Sequence, residues 1–290
     1  YFKEYVLVLP DEYVSLQRTD NFLLRFFMNK VYELWSDVEI VYFNILNNFE
    51  DKAYLEKDYH PVHAYPSINV LNNDFEKIKN YLCMYLIEIE QEFKSISNYE
   101  NLFKELDNKE TVIVNFNYTK TVKDYLKNKK SELIHIHGEL ENDFNPIIFG
   151  CPLIYDRSKK IFIENNSYMR NIKKYNYLLT NNEKQLNQYL ESNEYNVFLL
   201  GHSCGTSDRF ILRKIFNSKG ARNIIPFYFK NKDHYFNVLV NIARINKDHS
   251  GLEEDKRAFN KLLSFPNSYK MPQIDNDSYL VSYIKTFLNK

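Results

Sequence analysis

Val112–Thr121 reads V-I-V-N-F-N-Y-T-K-T, Leu133–Gly138 reads L-I-H-I-H-G, and Pro146–Gly150 reads P-I-I-F-G. Each run starts as a short apolar stretch of strand length and breaks off at Asn, His or Gly. A fourth, Val197–Leu200, stops at Gly201-His202-Ser203-Cys204-Gly205. Buried parallel strands read as short β-branched runs, and polar groups at their ends are where a sheet meets a ligand. Four such runs predict one crevice at the carboxyl edge of a single sheet. Its border would be Asn115, Asn117, Thr119, His137, Gly138, Gly150, Gly201, His202, Ser203 and Asp208. Only six glycines occur, and four of them (Gly138, Gly150, Gly201, Gly205) fall at or just past these ends. That placement predicts positive φ or close backbone approach there.

Working outward, strands are expected at 112–117, 133–137, 146–149, 197–200 and 223–229, with helices at 207–217 and 233–246. Alternating strands and helices imply an α/β fold with a mostly parallel, Rossmann-like sheet and right-handed crossovers. Residues 1–107 read as mainly helical, packed on or inserted in the sheet domain. Asn73–Phe93 carries a stripe through Phe75, Ile78, Leu82 and Leu86, with Asn73 and Glu76 resembling a capping box. Helical spacing also runs from Asn21 to Phe49. There Trp35 is expected in the core, and Asp37 and Glu39 on a solvated face. Tyr5–Leu9 reads as a strand fragment, and 155–194 as polar, aromatic and helical. The nucleotide-binding core is placed at 108–250, and 251–290 forms an extension with a last helix near Tyr279–Leu288.

The 38 basic residues balance 38 acidic ones, so no global field gathers nucleic acid or anionic lipid. Three cysteines, Cys83, Cys151 and Cys204, make no disulfide framework and fit a reducing cytoplasm. No apolar run reaches the roughly 20 residues needed to span a bilayer, and no signal peptide is evident.

Several chemistries compete for the polar strand ends. His135 and His137, two apart on a strand, would share a face and suit a metal pair. A metal-dependent hydrolase would need a third ligand from Cys151, His202 or Asp208, and none stands at metal spacing. His60 and His63 read as loop histidines. Gly-His-Ser-Cys-Gly imitates a nucleophile elbow, with Ser203 attacking and Asp233, His234 or His249 in support. Ser207 or Asp208 as helix cap would leave amides and a positive dipole end for a phosphate.

N-F-N-Y-T-x-T at 115–121, H-I-H-G at 135–138, I-I-F-G at 147–150 and L-L-G-H-S-x-G-x-S-D at 199–208 resemble AbiH-type bacterial abortive-infection proteins. The L-W-S-D-V-E run at 34–39 and the 73–93 helix agree with that family's helical part. More distantly, the pattern is similar to sirtuin-like domains of antiphage defence, which bind NAD and often hydrolyse it. The resemblance implies that Asn117 holds the nicotinamide-ribose region and that His137 accepts a proton from the ribose hydroxyl. It further implies that Gly201, Ser203 and Asp208 contact ribose and phosphate. NAD is then substrate or ligand, no metal is needed, and the setting is the bacterial cytoplasm. A phage protein as trigger and a homo-oligomer complete the expected partners, with a non-catalytic nucleotide sensor as the rival from another class. Two departures stand out. The family's opening Gly-Asn-Gly-Phe-Asp run is missing from Tyr1–Asp20, so it is expected upstream of Tyr1 or not at all. Thr119 occupies a position where sirtuin-like enzymes commonly carry Asp.

Overall fold

The computed structural model describes residues 21, 23, 35–49, 65–91, 97–107, 111–126, 131–152, 165–228, 231–246, 256–262 and 269–270. The expectations for Tyr5–Leu9, His60, His63, His249, Tyr279–Leu288 and the Trp35 side chain lie outside them. The chain divides into two compact units: residues 1–85 with 149–176, and 86–148 with 177–290.

In the first unit, α1 (Trp35–Asn47) buries Val38, Val41, Tyr42, Ile45 and Leu46. Helix α2 (Ile68–Gln91), whose part up to Tyr85 belongs here, buries Leu71, Phe75, Ile78 and Leu82 on one stripe. The stripe is the expected one, but the helix starts earlier than Asn73. Ser67 serves the free first-turn amides, through its carbonyl to Val70 and Leu71 and its hydroxyl to Val70. Phe75 stacks on Phe149 at 4.9 Å. Glu39 corrects the solvated-face expectation, being 2% exposed. Its Oε2 accepts from Lys173 Nζ at 3.0 Å and its Oε1 from the Gly150 amide at 3.1 Å. A buried carboxylate persists where it is paired and hydrogen-bonded in this way.

The second unit holds α3 (Ser97–Asp107), β1 (Val112–Asn115), α4 (Thr121–Tyr125), β2 (Glu132–His135), α5 (Asn182–Ser192) and β3 (Tyr195–Leu199). After them come α6 (Arg209–Asn217), β4 (Ala221–Tyr228), α7 (Lys232–Asn246), α8 (Lys256–Phe259) and β5 (Tyr269–Lys270). All described strand pairs are parallel, in agreement with βαβ alternation. They form two hydrogen-bonded sheets, β1-β2 and β3-β4-β5, rather than the single sheet expected.

Side-chain alternation shows how helices cover both faces. Val112 and Val114 of β1, Val197 and Leu199 of β3, and Ile224 of β4 belong to a cluster with α5, α6 and α7 residues such as Leu186, Ile211 and Ile242. Their intervening neighbours Ile113, Phe198, Ile225 and Phe227 belong to another, with Leu102, Phe103 and Leu106 of α3. Period-two strands buried on both faces explain the nearly unbroken apolar runs.

The run 146–149 forms no strand. Pro146 has no N–H to give a ladder, and the Ile148 amide is spent on the His137 carbonyl at 2.7 Å. Strand β2 likewise stops at His135, because the Gly138 amide returns to the His135 carbonyl at 3.0 Å and closes a turn. His137 therefore sits in that turn, and the shared-face expectation for His135 and His137 does not apply.

Candidate functional site

The turn after β2 needs glycine. Gly138 has φ +84°, and a Cβ there would lie 2.1 Å from the Pro146 carbonyl oxygen. Gly201, after β3, has φ +68°. Gly205 shows neither positive φ nor a close neighbour, against expectation. The left-handed residue in that turn is Cys204, with φ +55°.

These two turns, with the start of α6, bring His137, His202 and Asp208 together. Asp208 Oδ1 lies 3.1 Å from His137 Nε2, and its Oδ2 lies 3.4 Å from His202 Nε2. The expected cap role of Asp208 or Ser207 is not observed. The carboxylate is turned to the two rings instead. Tyr177 places its hydroxyl 3.0 Å from His137 Nε2. Phe116 meets both rings, with centroids 5.2 Å from His137 and 4.3 Å from His202.

Hydrogen-bond roles fix the proton positions. His202 Nδ1 accepts from the Cys204 amide at 2.9 Å, so its proton is on Nε2, facing Asp208. His137 Nδ1 lies 3.1 Å from the Phe116 carbonyl, which can only accept, so Nδ1 carries a proton. Nε2, 3.1 Å from Asp208 Oδ1, is then the nitrogen that can take up a second proton and hold it against the carboxylate. Such an arrangement stabilises an imidazolium after proton transfer. His137 is 4% exposed, whereas the Asp208 and His202 side chains are 13% and 15% exposed, so the open end is theirs.

Asn115 and His135 are register partners at the ends of β1 and β2. Asn115 is buried. Its Oδ1 accepts from the Asn117 amide at 3.0 Å, while its Nδ2 donates to the Thr119 carbonyl at 3.4 Å and to His135 Nδ1 at 3.3 Å. It thus shapes the turn carrying Asn117 and Thr119. The Asn117 side chain is exposed, and the Thr119 hydroxyl lies 3.2 Å from that of Thr121. Burial pushes His135 below its ordinary pKa.

Ser203 is exposed and its carbonyl accepts from Asn241 at 2.8 Å. The strained backbone falls on Cys204 rather than on Ser203, which leaves the elbow reading without its defining geometry. Burial, with Asp208 adding to it, pushes the Cys204 thiol up to about 12. Gly150 belongs to the first unit, where its amide serves Glu39. Among the described residues no group of three His, Cys, Asp or Glu side chains is arranged to hold a metal ion. Sequence reasoning missed Tyr177 and Phe116. Tyr177 is 40 residues from His137, with no motif around it.

The model of the bacteriophage abortive infection family AbiH matches residues 1–229, a span that contains every residue of this cluster. The chain belongs to the AbiH family. Membership of AbiH suggests a role in abortive infection by phage. No curated protein and no solved structure matches this AbiH chain. Among its described residues no helix is long and apolar enough to cross a membrane.

Proposed function

We propose that this AbiH chain is an effector of abortive infection in the bacterial cytoplasm, released by a phage trigger. It binds NAD or a related nucleotide at the carboxyl ends of β1, β2 and β3 and hydrolyses the nicotinamide–ribosyl bond. The observation that supports turnover is Asp208 set between His137 and His202, with His137 oriented by the Phe116 carbonyl. Water attacks the anomeric carbon as the carbon–nitrogen bond breaks. The bond's electron pair leaves with nicotinamide, which departs neutral and needs no acid. The water proton is the one that must be taken up. Asp208, at the open end, accepts it and hands it to His137 Nε2, 3.1 Å from its Oδ1, and then stabilises the resulting imidazolium. Asn117, exposed on the neighbouring turn, orients the water or a ribose hydroxyl without adding charge.

One observation favours a second reading, a sensor that binds without turnover: His137 is 4% exposed and its ring nitrogens already have partners within the chain. Calorimetry with NAD and ADP-ribose on protein purified from phage-infected cells, coupled to chromatography of the same samples, separates the two. Heat of binding with nicotinamide in the supernatant supports the hydrolase. Binding with NAD recovered whole supports the sensor, and no binding removes both.

A further inference from the structure

Tyr177 stands against His137 yet has no part in the proton path from water through Asp208. It opens the short 3-10 turn Tyr177–Leu179 and is buried, while Leu178 and Leu179, the rest of that turn, are 75% and 69% exposed. Its ring lies nearly parallel to two others. That of Phe210 on α6 is 5.9 Å away at 14°, and that of His137 is 6.0 Å away at 19°. The hydroxyl reaches His137 Nε2 at 3.0 Å. A turn that buries one side chain in three has few apolar contacts to break, which places it among the elements that open at low cost.

The proton positions give this contact a consequence. The neutral His137 ring carries its proton on Nδ1, facing the Phe116 carbonyl, so Nε2 offers a lone pair. Two groups face that lone pair, the Tyr177 hydroxyl and the Asp208 carboxylate. Only the hydroxyl can donate to it. A phenol is a far weaker acid than an imidazolium, so its proton stays on the tyrosine oxygen and the contact is a hydrogen bond. The O–H therefore fills the one position to which Asp208 has to hand the proton it takes from water. While it stays there, the carboxylate has no base to pass that proton to.

We infer that Tyr177 is the off-switch of this site: its hydroxyl caps His137 Nε2 in the silent protein, and activation withdraws it so that Asp208 can pass the water proton to the ring. This rests on the hydrolase reading above. It also accounts for a histidine whose two ring nitrogens are both engaged within the chain at a site that turns over.

The test is nicotinamide release from NAD by wild type and Tyr177→Phe, each purified from uninfected and from phage-infected cells. Tyr177→Phe keeps the ring between His137 and Phe210 and removes only the hydroxyl. The expected result is release by the uninfected-cell variant at least tenfold above the uninfected-cell wild type, abolished when Asp208→Asn is added. A merely structural tyrosine gives no such gain. A gain under tenfold, with release by the infected-cell wild type, overturns the switch and leaves the hydrolase standing. So does a gain that Asp208→Asn leaves intact. No release from either protein in either state overturns both. Should Tyr177→Phe not fold, Tyr177→Met, which fills the space without a hydroxyl, is read by the same outcomes.

Discussion

At the scale of single residues, the proposed proton chemistry rests on Asp208. Asp208→Asn keeps the volume and removes the charge that faces His137, so nicotinamide release should fall by about a hundred- to ten-thousand-fold. Circular dichroism should show the fold retained. Asn117→Ala should lower release with a stability change within about 0.5 kcal/mol, because its side chain is exposed and only its amide holds the turn. His135 sets a pH dependence with a defined sign. Its folded pKa lies below the ordinary value of about 6.5. The neutral ring therefore contributes stability above roughly pH 6.5 that is lost as pH falls through the folded value. Melting temperature should drop from pH 7 to pH 5 more steeply in wild type than in His135→Gln. An equal slope in both would place the titrating group elsewhere. Cys204, buried and pushed up to about 12, should resist alkylation at pH 8 in the native protein and react after denaturation.

At the scale of elements, the turns after β2 and β3 do the positioning. Gly138→Ala places a methyl against the Pro146 carbonyl at a φ that L-residues avoid, at a cost on the order of 3 kcal/mol in urea unfolding. In the first unit, Lys173→Met leaves the Glu39 carboxylate buried without its cation and should cost about 3–5 kcal/mol. Local signals explain what was readable. β1 starts where the sequence places it but ends at Asn115, two residues before the expected 117, and the periodicities of α2, α6 and α7 survive in the structure. Long-range partners explain what was not. Glu39 looks solvated until Lys173, 134 positions away, covers it. Asp208 looks like a helix cap until two turns present imidazoles to its carboxylate. Pro146–Phe149 looks like a strand, but its apolar residues say nothing of where the Ile148 amide goes. Strand pairing is a choice of partner, and β1 and β3 sit in different hydrogen-bonded sheets despite similar runs.

At the scale of the whole molecule, membership of the AbiH family suggests a role in abortive infection by phage. On the function proposed above, a hydrolase released by a phage trigger, cellular NAD should fall only after phage entry. Cells carrying Asp208→Asn should keep their NAD and lose protection. The most direct measurement is nicotinamide released from NAD by protein purified before and during phage infection, with Asp208→Asn alongside. Release by the infected-cell wild-type protein, cut at least a hundredfold in the variant, is the predicted result. Equal release by wild type and variant, or none from wild type in either state, would contradict it.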